Sequence, residues 1–214
     1  MHIPDGFLDA KTFITLDVVA VGFVAAAAAR ARRVLSERAV PLMAVLAAFI
    51  FAAQMLNFPV AGGTSGHFAG GALAAILLGP WAGGLVITLV LVIQALAFGD
   101  GGMLALGANV FNLAVVAPFV GYGAYSLLRK VFAGEAGRFV GAFAAAWLAV
   151  VAAASACAAE LAIAGTVPFA VAFPAMVGAH ALIGLGEGVI TAAALAAIRA
   201  SRPDLLELGR GGAA

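Results

Sequence analysis

The chain has 214 residues, of which 65% are hydrophobic and only 10% charged, with eleven Lys and Arg against ten Asp and Glu. A soluble domain carries about 25% charged residues, so this composition excludes a water-soluble globular protein. A net charge of +1 also excludes the basic field that nucleic acid requires.

The first ten residues, MHIPDGFLDA, put a histidine directly behind the initiator methionine, and Pro4, Asp5 and Gly6 then form a turn. They lack the basic start and apolar stretch of a signal peptide, so the amino terminus is expected to remain as encoded. The bulk of His2 further disfavours removal of Met1. Apolar runs between breakers then predict helices over about 13–33, 39–57, 67–79, 80–99, 103–131, 137–165 and 169–199. The third is short against the roughly 20 residues of a span, and Gly79-Pro80 cuts it from the fourth, so six full spans are the alternative. The runs are rich in Ala, Leu and Val without the alternation of barrel strands. Backbone groups in lipid must be satisfied within the segment, so the predicted fold is an all-α integral membrane bundle of about seven transmembrane helices. The single Cys157 permits no disulfide within one chain.

Arg30, Arg32, Arg33 and Arg38 follow the first helix, Arg129, Lys130 and Arg138 bracket the fifth connection, and Arg199, Arg202 and Arg210 follow the last. Only Lys11 falls on the other side. The positive-inside rule therefore predicts an outer amino terminus and an inner carboxyl terminus. That orientation places MHIPDG, NFPVAGGTSGH, GDGG and GTVP on the outer face, with His2 and His67 at the outer surface.

Those two histidines suggest metal chemistry. The Met1 α-amine and the His2 backbone nitrogen can close a five-membered ring on a metal ion, and His2 Nδ1 can close a six-membered ring after it. One more imidazole completes a square, and His67, at the end of the loop VAGGTSGHFAGG, is the natural candidate. Square nitrogen coordination suits Cu(II) and Ni(II), and imidazole also admits Co(II); Mg(II) and Ca(II) prefer oxygen. The loop glycines permit close backbone approach, and Thr64 and Ser65 offer hydroxyls for outer hydrogen bonds. The competing assignment makes His2 a disordered terminal residue and His67 a helix cap.

Other polar groups in the runs are candidates for function or for holding helices together. His180 and Glu187, seven apart, share a helix face, and Glu160 lies nearer the outer interface. Gln94, Asn109, Asn112 and Asn57 could each hydrogen-bond a ligating imidazole and fix its tautomer. Met55, Met103 and Met176 read as core fillers. Ala25 to Ala29 form a small-residue surface suited to close helix contact, either within the bundle or with a partner.

The start MHIPDGFL, the loop NFPVAGGTSGH, the following GGALAAILLGPWAG, the later GANVFNLAV and the final HALIGLGEGVIT are found in order along the chain. Together they resemble the CbiM/NikM family, the substrate-capture components of cobalt and nickel energy-coupling-factor transporters. The resemblance implies a seven-helix protein of the bacterial or archaeal plasma (inner) membrane whose amino-terminal segment folds inward to build the metal site. It implies Met1, His2 and His67 as ligands of Co(II) or Ni(II), the transported substrate. Residues 1–200 would then form a single transmembrane metal-binding domain and 201–214 a cytoplasmic tail. The implied partners are a membrane-embedded coupling protein and two cytoplasmic ATPase subunits, often with a small accessory membrane protein. In that scheme the capture protein rotates in the membrane to present its ion inward. The chain is not expected to be an enzyme, since it has no G-x-x-x-x-G-K-[ST] phosphate loop.

Two other functions compete. A self-sufficient divalent-metal channel or secondary carrier would work without an ATPase. An intramembrane enzyme would use Ser65 with His67, but the two stand two residues apart at a helix entrance without the G-x-S-x-G elbow. A nitrogen square accepts both cobalt and nickel, and the first-row affinity order favours nickel. Neighbouring cobalamin synthesis genes would indicate cobalt.

Overall fold

Each apolar run becomes helix. The computed structural model describes the chain except residues 35–36, 38, 61–63, 133 and 209–214, and at 34, 58–60, 64, 65, 207 and 208 it describes the backbone alone. Helix α1 (Ala10–Val34) and α2 (Ala39–Gln54) are followed by a short antiparallel hairpin of β1 (Phe58–Val60) and β2 (Thr64–Gly66), in which Phe58 faces Gly66. Helix α3 (Gly71–Leu78) has eight residues, and α4 (Pro80–Ile93) continues through a π turn at Gln94–Phe98. Helix α5 (Leu106–Val110) runs through a π segment at Phe111–Val116 into α6 (Ala117–Val131) as one rod. The long helices α7 (Gly134–Ile163) and α8 (Phe169–Ser201) and the short α9 (Leu205–Leu208) complete the chain.

Five stretches are long and apolar enough to cross a membrane: Ala10–Arg33, Pro80–Phe98, Leu106–Val131, Gly134–Ile163 and Phe169–Ser201. Helix α2, with 16 residues, is shorter, and α3 at about 1.5 Å per residue is far too short to span. The stretch predicted as helix from residue 67 starts only at Gly71, because Gly70 turns the chain at φ +74°. The preceding hairpin was not anticipated. Pro80 occupies the first turn of α4, where its missing N–H costs nothing, and Gly79 at φ +80° makes the break. Pro118 lies inside the α5–α6 rod, where it cannot donate and crowds the carbonyl four residues back. The π segment just ahead of it is the local widening that accommodates such a residue.

Small residues let the helices close. Gly71 lies against Ala117 and Pro118, Gly121 against Ala72, and α7 presents buried Ala142, Ala145, Ala146, Ala149 and Ala153 to its neighbours. Apolar side chains such as Val18, Val21, Leu182 and Val189 stay exposed, as a lipid-facing surface requires. Among the small residues of α1, Ala27 is buried while Ala25, Ala26 and Ala29 face outward.

The two ends of the bundle differ. One holds Met1–Leu8, the 99–105 loop and Thr166, which donates to the Phe7 carbonyl. The other collects arginines: Arg199 pairs with Glu135 at 2.7 Å, Arg129 donates to the Gly134 carbonyl at 2.8 Å, and Arg30 stacks 5.3 Å over Trp81.

Candidate metal centre

The amino terminus is part of the interior. Met1 and Ile3 are fully buried and His2 is 3% exposed. A buried backbone needs partners, and Asn109 supplies them from α5. Its Oδ1 accepts from the Ile3 N–H at 2.7 Å while its Nδ2 donates to the Ile3 carbonyl at 3.1 Å. The amide side chain thus imitates a neighbouring β-strand. Gly102 N–H donates to the same carbonyl at 2.9 Å. Asp5 Oδ1 accepts from the Leu104 N–H at 2.8 Å, so the turn at Pro4–Gly6 is pinned as well. A Cβ at Gly102 would overlap the Asp5 nitrogen and carboxylate, so only glycine fits there.

His67 meets this segment from the loop ahead of α3. It is fully buried, not at the outer surface where the sequence placed it, because the chain between β2 and α3 turns into the bundle. The His2 and His67 rings stack with centroids 4.3 Å apart and planes at 30°. His67 Nδ1 lies 2.7 Å from the Phe68 carbonyl, which can only accept. The proton is therefore on Nδ1, and the buried Nε2, which has no hydrogen-bond partner, keeps its lone pair. His2 Nδ1 lies 2.9 Å from Asp100 Oδ1, and its buried Nε2 likewise has no partner. A chelate through His2 Nδ1 therefore competes with Asp100 for one atom.

The backbone that carries His67 is fixed from α8 and α2. Both Glu187 oxygens accept backbone N–H groups, from Ala69 at 2.7 Å and Gly70 at 2.9 Å, and Gln54 Nε2 donates to the Ala69 carbonyl at 2.8 Å. Glu187 thus satisfies the two backbone donors just ahead of α3, which would otherwise be buried unpaired. Replacing it by Gln removes one acceptor and sets an NH2 against an N–H, at a cost of about 1–3 kcal/mol for the orphaned donor. Glu187→Gln is expected to lower both the melting temperature and the metal affinity; unchanged values for both would remove Glu187 from this role.

The remaining candidates are placed as follows. The side chains of Thr64 and Ser65 lie outside the described residues. Asn109 holds Ile3 rather than an imidazole, and Asn112 Nδ2 donates to Glu160 Oε2 at 2.7 Å. Gln94 is fully buried at the π turn, and neither of its amide atoms has a hydrogen-bond partner. His180, two turns from Glu187, holds the Met176 carbonyl through Nδ1 at 2.7 Å and leaves a buried Nε2 without a partner. Asp100, the carboxylate on His2, belongs to the GDGG loop and was not singled out in the sequence. Its only signal there is a lone acid between glycines on the same side as His2.

Among the described residues no three His, Cys, Asp or Glu side chains gather into a metal cluster. Burial pushes the Met1 ammonium down to about 5, against smaller opposing effects of Cys157 and Asp100. Burial also lowers His2, with the Asp100 hydrogen bond opposing, while that bond holds Asp100 below its ordinary value. At pH 7 the amine and the imidazoles are neutral, the form that donates to a metal. A proton competes for each donor, so affinity should rise with pH. Because the folded amine titrates near 5 rather than 8, it limits binding only below about pH 6. Calorimetric titration across pH 5–8 checks this; affinity that is flat or falls with rising pH would contradict it.

Fold and site together define a multi-pass transmembrane protein with a buried cluster of nitrogen donors at one end. Residues 2–205 match the CbiM family, described as the cobalt uptake substrate-specific transmembrane region. The chain belongs to that family. It is 45% identical to a putative fused nickel transport protein NikMN of Archaeoglobus fulgidus, over 97% of this chain and 68% of that one. It is 47% identical to a putative metal transport protein of Haloquadratum walsbyi, over 96% and 93% of the two chains. It is 37% identical to the cobalt transport protein CbiM of Sorangium cellulosum, over 97% and 95%. The crystal structure of a truncated transition metal transporter superposes with a TM-score of 0.87 at 39% identity, covering 92% of this chain and 98% of that one.

Proposed function

We propose that the chain captures Co(II) or Ni(II) at the outer face of a bacterial or archaeal plasma membrane, as the substrate-specific component of an ATP-driven energy-coupling-factor importer. The observation that carries this is the burial of Met1 and His2 against His67, whose Nε2 keeps an unshared lone pair. The donors are the Met1 amine, the His2 backbone nitrogen, the His2 imidazole and His67 Nε2. The consecutive five- and six-membered rings reach only the near ring nitrogen, so on loading His2 Nδ1 passes from Asp100 to the ion. Four nitrogens in a plane suit late first-row divalent ions and reject Mg(II) and Ca(II).

In this proposal residues 1–200 are the metal-binding membrane domain, and hydrolysis belongs to other subunits, since the sequence has no phosphate loop. The outward Ala25, Ala26 and Ala29 of α1 offer a smooth surface on which a membrane-embedded coupling protein can pack. The test is uptake of labelled cobalt and nickel in a host lacking its own importers. Accumulation is expected only when the chain is expressed with a coupling protein and ATPase subunits. Full uptake by the chain alone would make it a self-sufficient channel or carrier instead.

A further inference from the structure

At the arginine-rich end, remote from the amino-terminal site, a cavity of about 270 Å³ opens between α6, α7, α8 and α9. Tyr122, Tyr125, Ser126 and Arg129 line it from positions i, i+3, i+4 and i+7 of α6, which is one helix face. Arg138 closes it from α7, and Leu195 lies on an apolar wall. We propose that this cavity binds a phosphate group.

The neighbouring charges explain the choice. At this end Glu135 is taken by Arg199 and Asp204 by Arg202, and Arg30 is stacked on Trp81. Arg138 has no ion pair among the described residues, and Arg129 commits a single N–H to the Gly134 carbonyl. Both are half-buried and both line the cavity. A guanidinium has five N–H donors in a rigid fork. Two such forks with hydroxyls beside them exceed what one carboxylate can accept and match the several oxygens of a phosphate. The positive-inside rule puts this end at the cytoplasmic leaflet, where basic pockets between helices meet anionic headgroups. The apolar wall and the volume leave room for more than the anion itself. The phosphate can therefore come from a phospholipid headgroup or from free inorganic phosphate.

Native mass spectrometry of the full chain in detergent separates these sources, with phosphatidylglycerol, diacylglycerol and inorganic phosphate as probes. Phosphatidylglycerol is expected to remain bound where diacylglycerol, which lacks the phosphate, is lost. Competition by inorganic phosphate, with its own retention, identifies the free ion as the occupant; no competition identifies the lipid. Arg129→Gln with Arg138→Gln should weaken retention by about tenfold for each guanidinium removed, while metal binding at the opposite end stays intact and certifies the fold. If the double variant does not fold, Arg138→Gln and Ser126→Ala singly provide the same reading. Equal retention of phosphatidylglycerol and diacylglycerol, or undiminished binding by the variants, would overturn the proposal.

Discussion

A chain carrying extra residues ahead of Met1 is expected to lose tight metal binding, with affinity falling by more than about 100-fold, beyond what loss of an outer hydrogen-bond partner costs. Two effects act together. The added peptide bond turns the α-amine into an amide, which lacks the basic lone pair that opens the chelate. Met1 is also fully buried, and Ile3 is clamped by Asn109 and Gly102, so there is no room for an extension to pass. Calorimetry and metal analysis of extended and native chains check this. One tightly held ion per extended chain would sink the chelate.

His67→Ala is expected to abolish the same binding by a different route. The substitution removes the one imidazole that does not come from the amino-terminal segment, so at most three nitrogens remain. It also has a structural consequence that its expected surface position did not imply. His67 is fully buried and its Nδ1–H satisfies the Phe68 carbonyl, so the variant should be destabilised by about 1–3 kcal/mol. His67→Gln fills more of the space and can keep that hydrogen bond, so it should recover stability without recovering metal. Comparing melting temperature with metal content in the two variants separates the roles. Metal retained in both would exclude His67 as a ligand.

Much of the membrane architecture was legible because hydropathy reports it directly. The seven apolar runs correspond to α1, α2, α3, α4 with its π turn, the α5–α6 rod, α7 and α8. The breakers Gly79-Pro80 marked a real helix start. The pairing of 58–60 with 64–66 was not legible, since three-residue strands are too short to produce alternation. Nor was the inward turn of His67–Gly70, because the groups that make it favourable lie far along the chain. Glu187 is more than a hundred residues from Ala69, and nothing local links an acid in α8 to two N–H groups just ahead of α3. Asn109 illustrates the same limit. Its presence on a helix face suggested a bond to an imidazole, whereas its partner is the Ile3 backbone. His2 stood out for a chemical reason, since chelation by amine, amide and ring needs the second position; what the structure adds is its burial against His67.

X-ray absorption of the nickel- or cobalt-loaded chain tests the nitrogen square most directly. A four-coordinate shell made of nitrogen alone is expected, with the scattering pattern of two imidazoles and no sulfur. A sulfur scatterer, which would bring in Cys157 or a methionine, or a six-coordinate shell dominated by oxygen, would contradict it.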